Sequence, residues 1–172
     1  MIIVTILPIY ICTDKVLRQK ANDCSKPFSQ YKQLAENMIQ TMYKAPGVGL
    51  AAPQIGISLR LVVYDAGNGA VVLINPEIIS RSEQLSSYEE GCLSVPDITA
   101  EIIRPASIKF RAYGLDGYKF EKEASALEAR VVQHECDHLE GVLFIDKLQA
   151  KDKLLIEKQL KKAGLKAAVQ KA

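Results

Sequence analysis

The chain has no tryptophan, and aromatic residues of every kind make up only 6% of its 172 positions. It has just two histidines and four cysteines, and no two cysteines form a CxxC pair. It has no surplus of charge: 22 Lys and Arg against 20 Asp and Glu leave a net charge of +2. It also lacks an apolar run of the roughly 20 residues needed to span a bilayer. Each absence excludes a class. The sparse, scattered cysteines do not make a small secreted disulfide scaffold and read as reduced thiols in a cytosolic protein. The balanced charge gives no ground for a nucleic-acid or membrane partner. No repeat, low-complexity tract or linker divides the chain, so residues 1–172 read as one domain.

What is present is ordinary for a globular protein, 48% apolar and 24% charged. The opening stretch from Met1 to Cys12 is apolar. It has no basic n-region, is interrupted by Pro8 and ends without a small-residue cleavage site. It therefore reads as a buried N-terminal strand or extended segment. A first helix is predicted from about Pro27 to Tyr43, where Tyr31, Leu34, Ala35, Met38, Ile39 and Met42 recur at helical spacing. The stretch from Gly47 to Gln54 has neither period and reads as an ordered loop.

Strands are expected at Leu59 to Tyr64 and at Ala70 to Ile74, the latter ended by Asn75 and Pro76. Another is expected at Ile102 and Ile103. Ser107 to Tyr113 alternates, so one face should be wet. Asp116-Gly117 signals a hairpin with a return strand at Tyr118 to Glu121.

A second helix follows, opened by a Ser125-x-x-Glu128 capping box and closed at Gly141. Apolar residues on more than one of its faces predict a central, buried helix. The tail, from about Lys151 to Lys166, reads as a charged amphipathic helix carrying Leu154, Leu155 and Leu160. The sum is an α+β fold, with mostly antiparallel strands around a buried helix and a C-terminal helix.

Both histidines fall in one pentapeptide of the buried helix, His134-Glu135-Cys136-Asp137-His138. Residues at i and i+4 share a helical face, so two imidazoles can bind one metal ion, with Glu135 placed to work on a metal-bound water. Two uncoordinated imidazoles and a carboxylate on a buried helix would each carry a desolvation cost. A catalytic site of this kind usually has three protein ligands and an open position. Cys92 is the best third candidate, because Glu90-Gly-Cys-Leu-Ser94 reads as a short, glycine-hinged loop and a thiolate is a strong ligand. Taken alone, Cys92 would be a small buried residue; the open site favours a ligand. Cys136 lies on the other side of the helix and reads as core. Cys12 and Cys24 read as ordinary thiols. A carboxylate ligand such as Glu157 would indicate a zinc peptidase, but Glu157 reads as a solvated surface charge. A zinc-peptidase pattern with a third histidine six residues past His138 is excluded by Phe144.

Three segments, Gly47 to Gln54, Glu90 to Ser94 and Gln133 to Leu139, together resemble the signature motifs of peptide deformylases, in order and complete. The resemblance covers roughly residues 5 to 148. It implies that Cys92, His134 and His138 bind one metal ion with water as fourth ligand. Ferrous iron would be the native metal, with nickel, cobalt or zinc able to substitute. Glu135 matches the general base that becomes the acid. Gln54 and the backbone N–H of Leu93 match the groups that stabilise the oxyanion.

The activity implied is removal of the N-formyl group from formyl-methionine on nascent polypeptides, at the ribosome, in the cytoplasm, with an organellar origin left open. Val48, Gly49, Tyr88, Glu90, Leu127, Arg130 and Val131 match the substrate pocket. Arg130 would lay its stem there or sit solvated at the rim, and Arg104 would either pair with Glu90 or be exposed. The sequence departs from the family at Cys12, where proline is frequent, and at Thr99, where some members carry an arginine that holds the substrate backbone. A peptidase acting on internal bonds and a non-catalytic metal-binding protein are the rival classes. Intact Glu135 and Gln54 argue against the second.

Overall fold

A computed structural model of the chain describes residues 4–165. Its centre is β2 (Leu61–Tyr64), four consecutive residues that are all buried. Successive strand side chains point to opposite faces. Val62 and Tyr64 therefore join one core with Val131, Val132 and Leu139 of α2 (Ala126–Leu139). Leu61 and Val63 join a second core with Met38 and Met42 of α1 (Lys32–Lys44). Both methionines are fully buried, each worth about 1.5–3 kcal/mol of hydrophobic stabilisation. The sheet is thus held between α1 and the metal-motif helix.

That sheet has five antiparallel strands. Their spatial order is β1 (Gly49–Ala51), β2, β3 (Val71–Arg81), β6 (Ser107–Tyr113) and β7 (Lys119–Ser125). A separate antiparallel pair is formed by β4 (Leu85–Cys92) and β5 (Val95–Pro105). The inward face of β5 carries Val95 and then, in alternation, Ile98, Ala100 and Ile102, and packs with Leu143, Phe144 and Ile145 and with Ile156 and Leu160 of α3 (Ala150–Lys162).

The α+β class, the wet outer face of β6, the hairpin into β7 and the buried second helix match the expectations from sequence. Several local expectations are corrected. The described N-terminal segment, from Val4, is mostly exposed and is not a strand; it is tied down by Thr5 and Leu7 N–H donating to Asn37 and Thr41 side chains. A 3-10 turn over Phe28–Tyr31 precedes α1. The expected loop at 47–54 holds β1 and a 3-10 turn, Ala52–Ile55, which are too short to show a period.

Strand β3 runs on through Asn75 and Pro76 with a bulge; Asn75 N–H still donates to Arg60 C=O, and its side chain accepts from Cys24 N–H and donates to Cys24 C=O. The Glu90–Cys92 stretch is the end of a strand, and β5 is longer than its two isoleucines suggested. Ser125 makes no side-chain cap; Glu128 instead accepts from Tyr64 Oη at 2.6 Å and from Lys122. On α3 it is Ile156 and Leu160 that are buried, while Leu154 and Leu155 are exposed. Lys166 lies outside the described residues.

Candidate metal centre and active site

Burial of α2 on the sheet fixes which side of its motif meets other groups. His134 and His138 lie one turn apart with ring centroids 5.0 Å apart. The end of β4 brings Cys92 to them, with Sγ 3.2 Å from His138 Nε2. One ligand atom from each of Cys92, His134 and His138 lies within 4.8 Å of the other two. An ion with one sulfur and two nitrogen ligands at tetrahedral angles holds its donors about 3.5 Å apart. The set therefore fits a divalent metal, with room for a further ligand. Burial, reinforced by the charge of Arg104, pushes the His138 imidazole well below its usual range, which keeps it neutral as a ligand must be. Its Nδ1 is buried without a hydrogen-bond partner.

His134 is aimed by a chain of buried charges. Its Nδ1 lies 3.1 Å from Glu90 Oε2. Glu90 accepts from Arg104 Nε at 2.6 Å and Nη2 at 2.9 Å, and from Arg130 Nη1 at 2.8 Å. Arg104 reaches on to Asp137 at 2.6 Å. Burial alone would raise the Glu90 carboxyl, but the bonds from His134 and the two guanidinium groups hold it far below the usual carboxylate range. A carboxylate bonded to the remote nitrogen of a ligand histidine fixes both its tautomer and its ring plane. Glu90 and Arg104 do pair, and Arg104 is buried rather than exposed. Arg130 is neither a solvated rim group nor only an apolar stem. Its guanidinium is buried and also donates to the Ile102 and Ser86 carbonyls.

Glu135 is 4% exposed, and its Oε2 has no hydrogen-bond partner. Burial raises its carboxyl to about 7. Gln54 is buried beside it at the end of the 3-10 turn. Its Oε1 accepts from Ala51 N–H at 2.9 Å, and its Nε2 donates to Ser94 Oγ at 3.1 Å and lies 3.5 Å from Cys92 Sγ.

A cleft of about 360 Å³ opens onto this centre, a size suited to a small ligand. Val48, Gly49, Gln54, Tyr88, Glu90, Cys92, Leu93, Leu127, Arg130, Val131, His134 and Glu135 all line it. His138 lies behind, 1% exposed. Cys136 packs on the sheet core, and burial lifts its thiol to about 12. Cys12 and Cys24 are buried free thiols. Glu157 is exposed. The sequence reading missed Val95, Asp97 and Ile98 as cleft residues, and Asp137 and Ser94 as supports. Alternation along β5, regular from Ile98 onward, could have found Ile98; it could not have found Val95 or Asp97.

Comparison with known proteins agrees with this geometry. The family model described as polypeptide deformylase matches residues 6–154. The peptide deformylase of Agrobacterium fabrum is 45% identical over 165 residues, covering 93% of this chain and 97% of that protein. The crystal structure of peptide deformylase from Thermotoga maritima is 46% identical, with a TM-score of 0.82 over 84% of this chain and 99% of that one. A peptide deformylase from Synechococcus elongatus, solved in complex with actinonin, is 37% identical, with a TM-score of 0.91 over 100% of this chain and 98% of that one. The chain belongs to the polypeptide deformylase family, metal-dependent hydrolases that remove the formyl group from N-terminal formyl-methionine.

Proposed function

We propose that Cys92, His134 and His138 hold one divalent metal ion, ferrous iron in the cell with nickel, cobalt or zinc able to substitute, and that Glu135 moves the proton during deformylation. The observation that carries this reading is the buried, unpartnered Oε2 of Glu135 on the cleft wall, one residue from His134 and three from His138. A divalent metal at these ligands would supply acidification of a water and polarisation of the formyl oxygen.

Glu135 takes the proton of the water whose oxygen attacks the formyl carbon. It returns that proton to the methionine nitrogen as the C–N bond breaks, leaving formate and a free amine. Gln54 and the Leu93 N–H stabilise the charge that builds on the formyl oxygen. The Ala51 N–H holds the Gln54 carbonyl end, so its NH2 end is the one turned to Cys92. Uncharged donors fixed in advance are suited to this task.

Val48, Tyr88, Leu127 and Val131, on the cleft wall, receive the methionine side chain. Gly49 leaves space for Glu135, and Glu90 and Arg130 act by positioning. The unit acting is the whole chain, 1–172, on nascent formyl-Met polypeptides at the ribosome, in the cytoplasm. No described helix is long and apolar enough to cross a membrane.

The test is to follow formate release from a formyl-Met peptide by metal-loaded protein, beside the same peptide unformylated. Release of formate with no internal cleavage of either peptide is expected. Internal cleavage of the unformylated peptide at a comparable rate would make the protein a peptidase instead.

A further inference from the structure

The N-terminal segment touches both of the loops that carry the uncharged donors of the site. Tyr10 N–H donates to Gln54 C=O at 2.7 Å, and Cys12 N–H donates to Ser94 C=O at 2.7 Å. Gln54 lies in the 3-10 turn Ala52–Ile55, and Ser94 follows Leu93 in the turn between β4 and β5. The two loops also meet directly, through Gln54 Nε2 donating to Ser94 Oγ at 3.1 Å. Three hydrogen bonds therefore close a ring through Tyr10, Gln54, Ser94 and Cys12. The segment is anchored on both sides of this ring. Upstream, Thr5 and Leu7 N–H are bonded to the Asn37 and Thr41 side chains of α1. Downstream, Ile11 N–H donates to Asp14 Oδ2 at 2.9 Å, and Leu17 is fully buried. Gly56 ends the Gln54 turn in the left-handed conformation, at φ 80°. A β-carbon built there would lie 2.7 Å from Cε2 and 2.9 Å from Cζ of Tyr10. The Tyr10 ring is thus seated on the backbone that follows Gln54.

We propose that Tyr10 is a positioning residue for deformylation. Seated on the Gln54 turn and tied through Cys12 to the Leu93–Ser94 turn, it fixes the spacing of the two oxyanion donors, the Gln54 amide and the Leu93 N–H, before substrate arrives. This rests on the deformylase reading of the site. Tyr10 does not line the cleft, so it acts through Gln54 and not on the substrate. Donors of this kind are effective because they are aimed in advance, and loss of one costs about 100- to 1,000-fold in kcat. Hydrogen bonds weaken steeply as their angle closes. A donor that stays in place but is held less firmly therefore loses part of that effect. The loss falls on the transition state, where the charge develops, and spares binding of the ground state. Tyr10 is itself 40% exposed, so its ring can be removed without opening the core. The ring carbons make the contact with Gly56, so phenylalanine preserves it.

The experiment is a double-mutant cycle on the full-length, metal-loaded protein, with Tyr10→Ala, Gln54→Ala and the pair combined, and with Tyr10→Phe as the conservative replacement. Formate release from a formyl-Met peptide is measured per bound metal. Tyr10→Ala should lower kcat by about tenfold, a part of the full worth of an oxyanion donor, with KM little changed and metal content at the parent level. Tyr10→Phe should restore parent kcat. In the Gln54→Ala background, Tyr10→Ala should cost nothing further, because residues that act through one another are not additive. Parent kcat in Tyr10→Ala would overturn the proposal. So would an equal fall with and without Gln54, since a general loss of structure is felt in both backgrounds. A rise in KM at unchanged kcat would place Tyr10 in binding and overturn it as well. If the parent protein releases no formate, the deformylase reading itself fails; an active parent with an unaffected Tyr10→Ala variant removes this inference alone.

Discussion

A β-carbon built on Gly49 would lie 2.3 Å from Oε1 of Glu135, and 2.9 Å from Cγ1 of Val131. Real β-carbons do not approach so closely, so any side chain at Gly49 must displace the carboxylate. Strand β1 is pinned by its ladder to β2 and cannot retreat. Gly49→Ala should therefore lower kcat/KM by about tenfold or more, since small misplacements of a reacting group are costly. Metal content should stay at the parent level, because none of Cys92, His134 and His138 is touched. Peptide kinetics and metal analysis on the same preparation check this. Unchanged kinetics would mean that Glu135 can work from a second position.

The two cysteines nearest the histidines make opposite predictions. Cys92 Sγ lies 3.2 Å from His138 Nε2, whereas Cys136 packs on the sheet core with its thiol pushed up to about 12 by burial. Cys92→Ala should lose bound metal, and Cys136→Ala should keep it. Stoichiometry after dialysis against a weak chelator distinguishes them. Equal loss in both would remove Cys92 from the ligand set.

Arg104 tests the support behind His134. It is 4% exposed and bonded to both Glu90 and Asp137. Arg104→Leu leaves the Glu90 charge buried with only part of its partners. Breaking a buried ion pair on one side costs about 3–5 kcal/mol. The variant should be destabilised on that scale in urea unfolding. It should also bind metal about 10- to 100-fold more weakly, as loss of an outer partner to a ligand does. Full stability with weakened metal binding would show that Arg104 only aims Glu90; the reverse pattern would make it purely structural.

How much of this was legible in the sequence depended on the range of the interactions involved. The pairing of His134 with His138 follows from helical spacing alone, and the buried setting of α2 from its apolar residues on several faces. The sheet was legible where alternation was long enough, as in β6. It failed at β1, with three residues, and at Asn75-Pro76, where the strand continues through a bulge held by Asn75 N–H on Arg60 and by a side-chain bridge to Cys24, 51 positions away. The same limit hid the state of Arg104 and Arg130. Each is an ordinary charged residue until Glu90 is folded between them. The expected cap at Ser125 failed because Tyr64 and Lys122 compete for Glu128, and neither competitor is near it in helical register.

The most direct test of the mechanism is Glu135→Gln. The amide keeps the size of the side chain and makes the buried group permanently neutral, so folding should tolerate it. Burial already disfavours charge at this position. The metal ligands are separate side chains, so metal stoichiometry should match the parent. What the amide cannot do is accept a proton from water and return it to the methionine nitrogen. Turnover should fall by roughly two or more orders of magnitude, the usual worth of general acid–base catalysis. The fall should be in kcat, with KM for the formyl-Met peptide little changed, because the apolar wall of Val48, Leu127 and Val131 is untouched. Near-parent kcat in protein with full metal content would remove Glu135 from the mechanism. The proton would then have to move through another group lining the cleft.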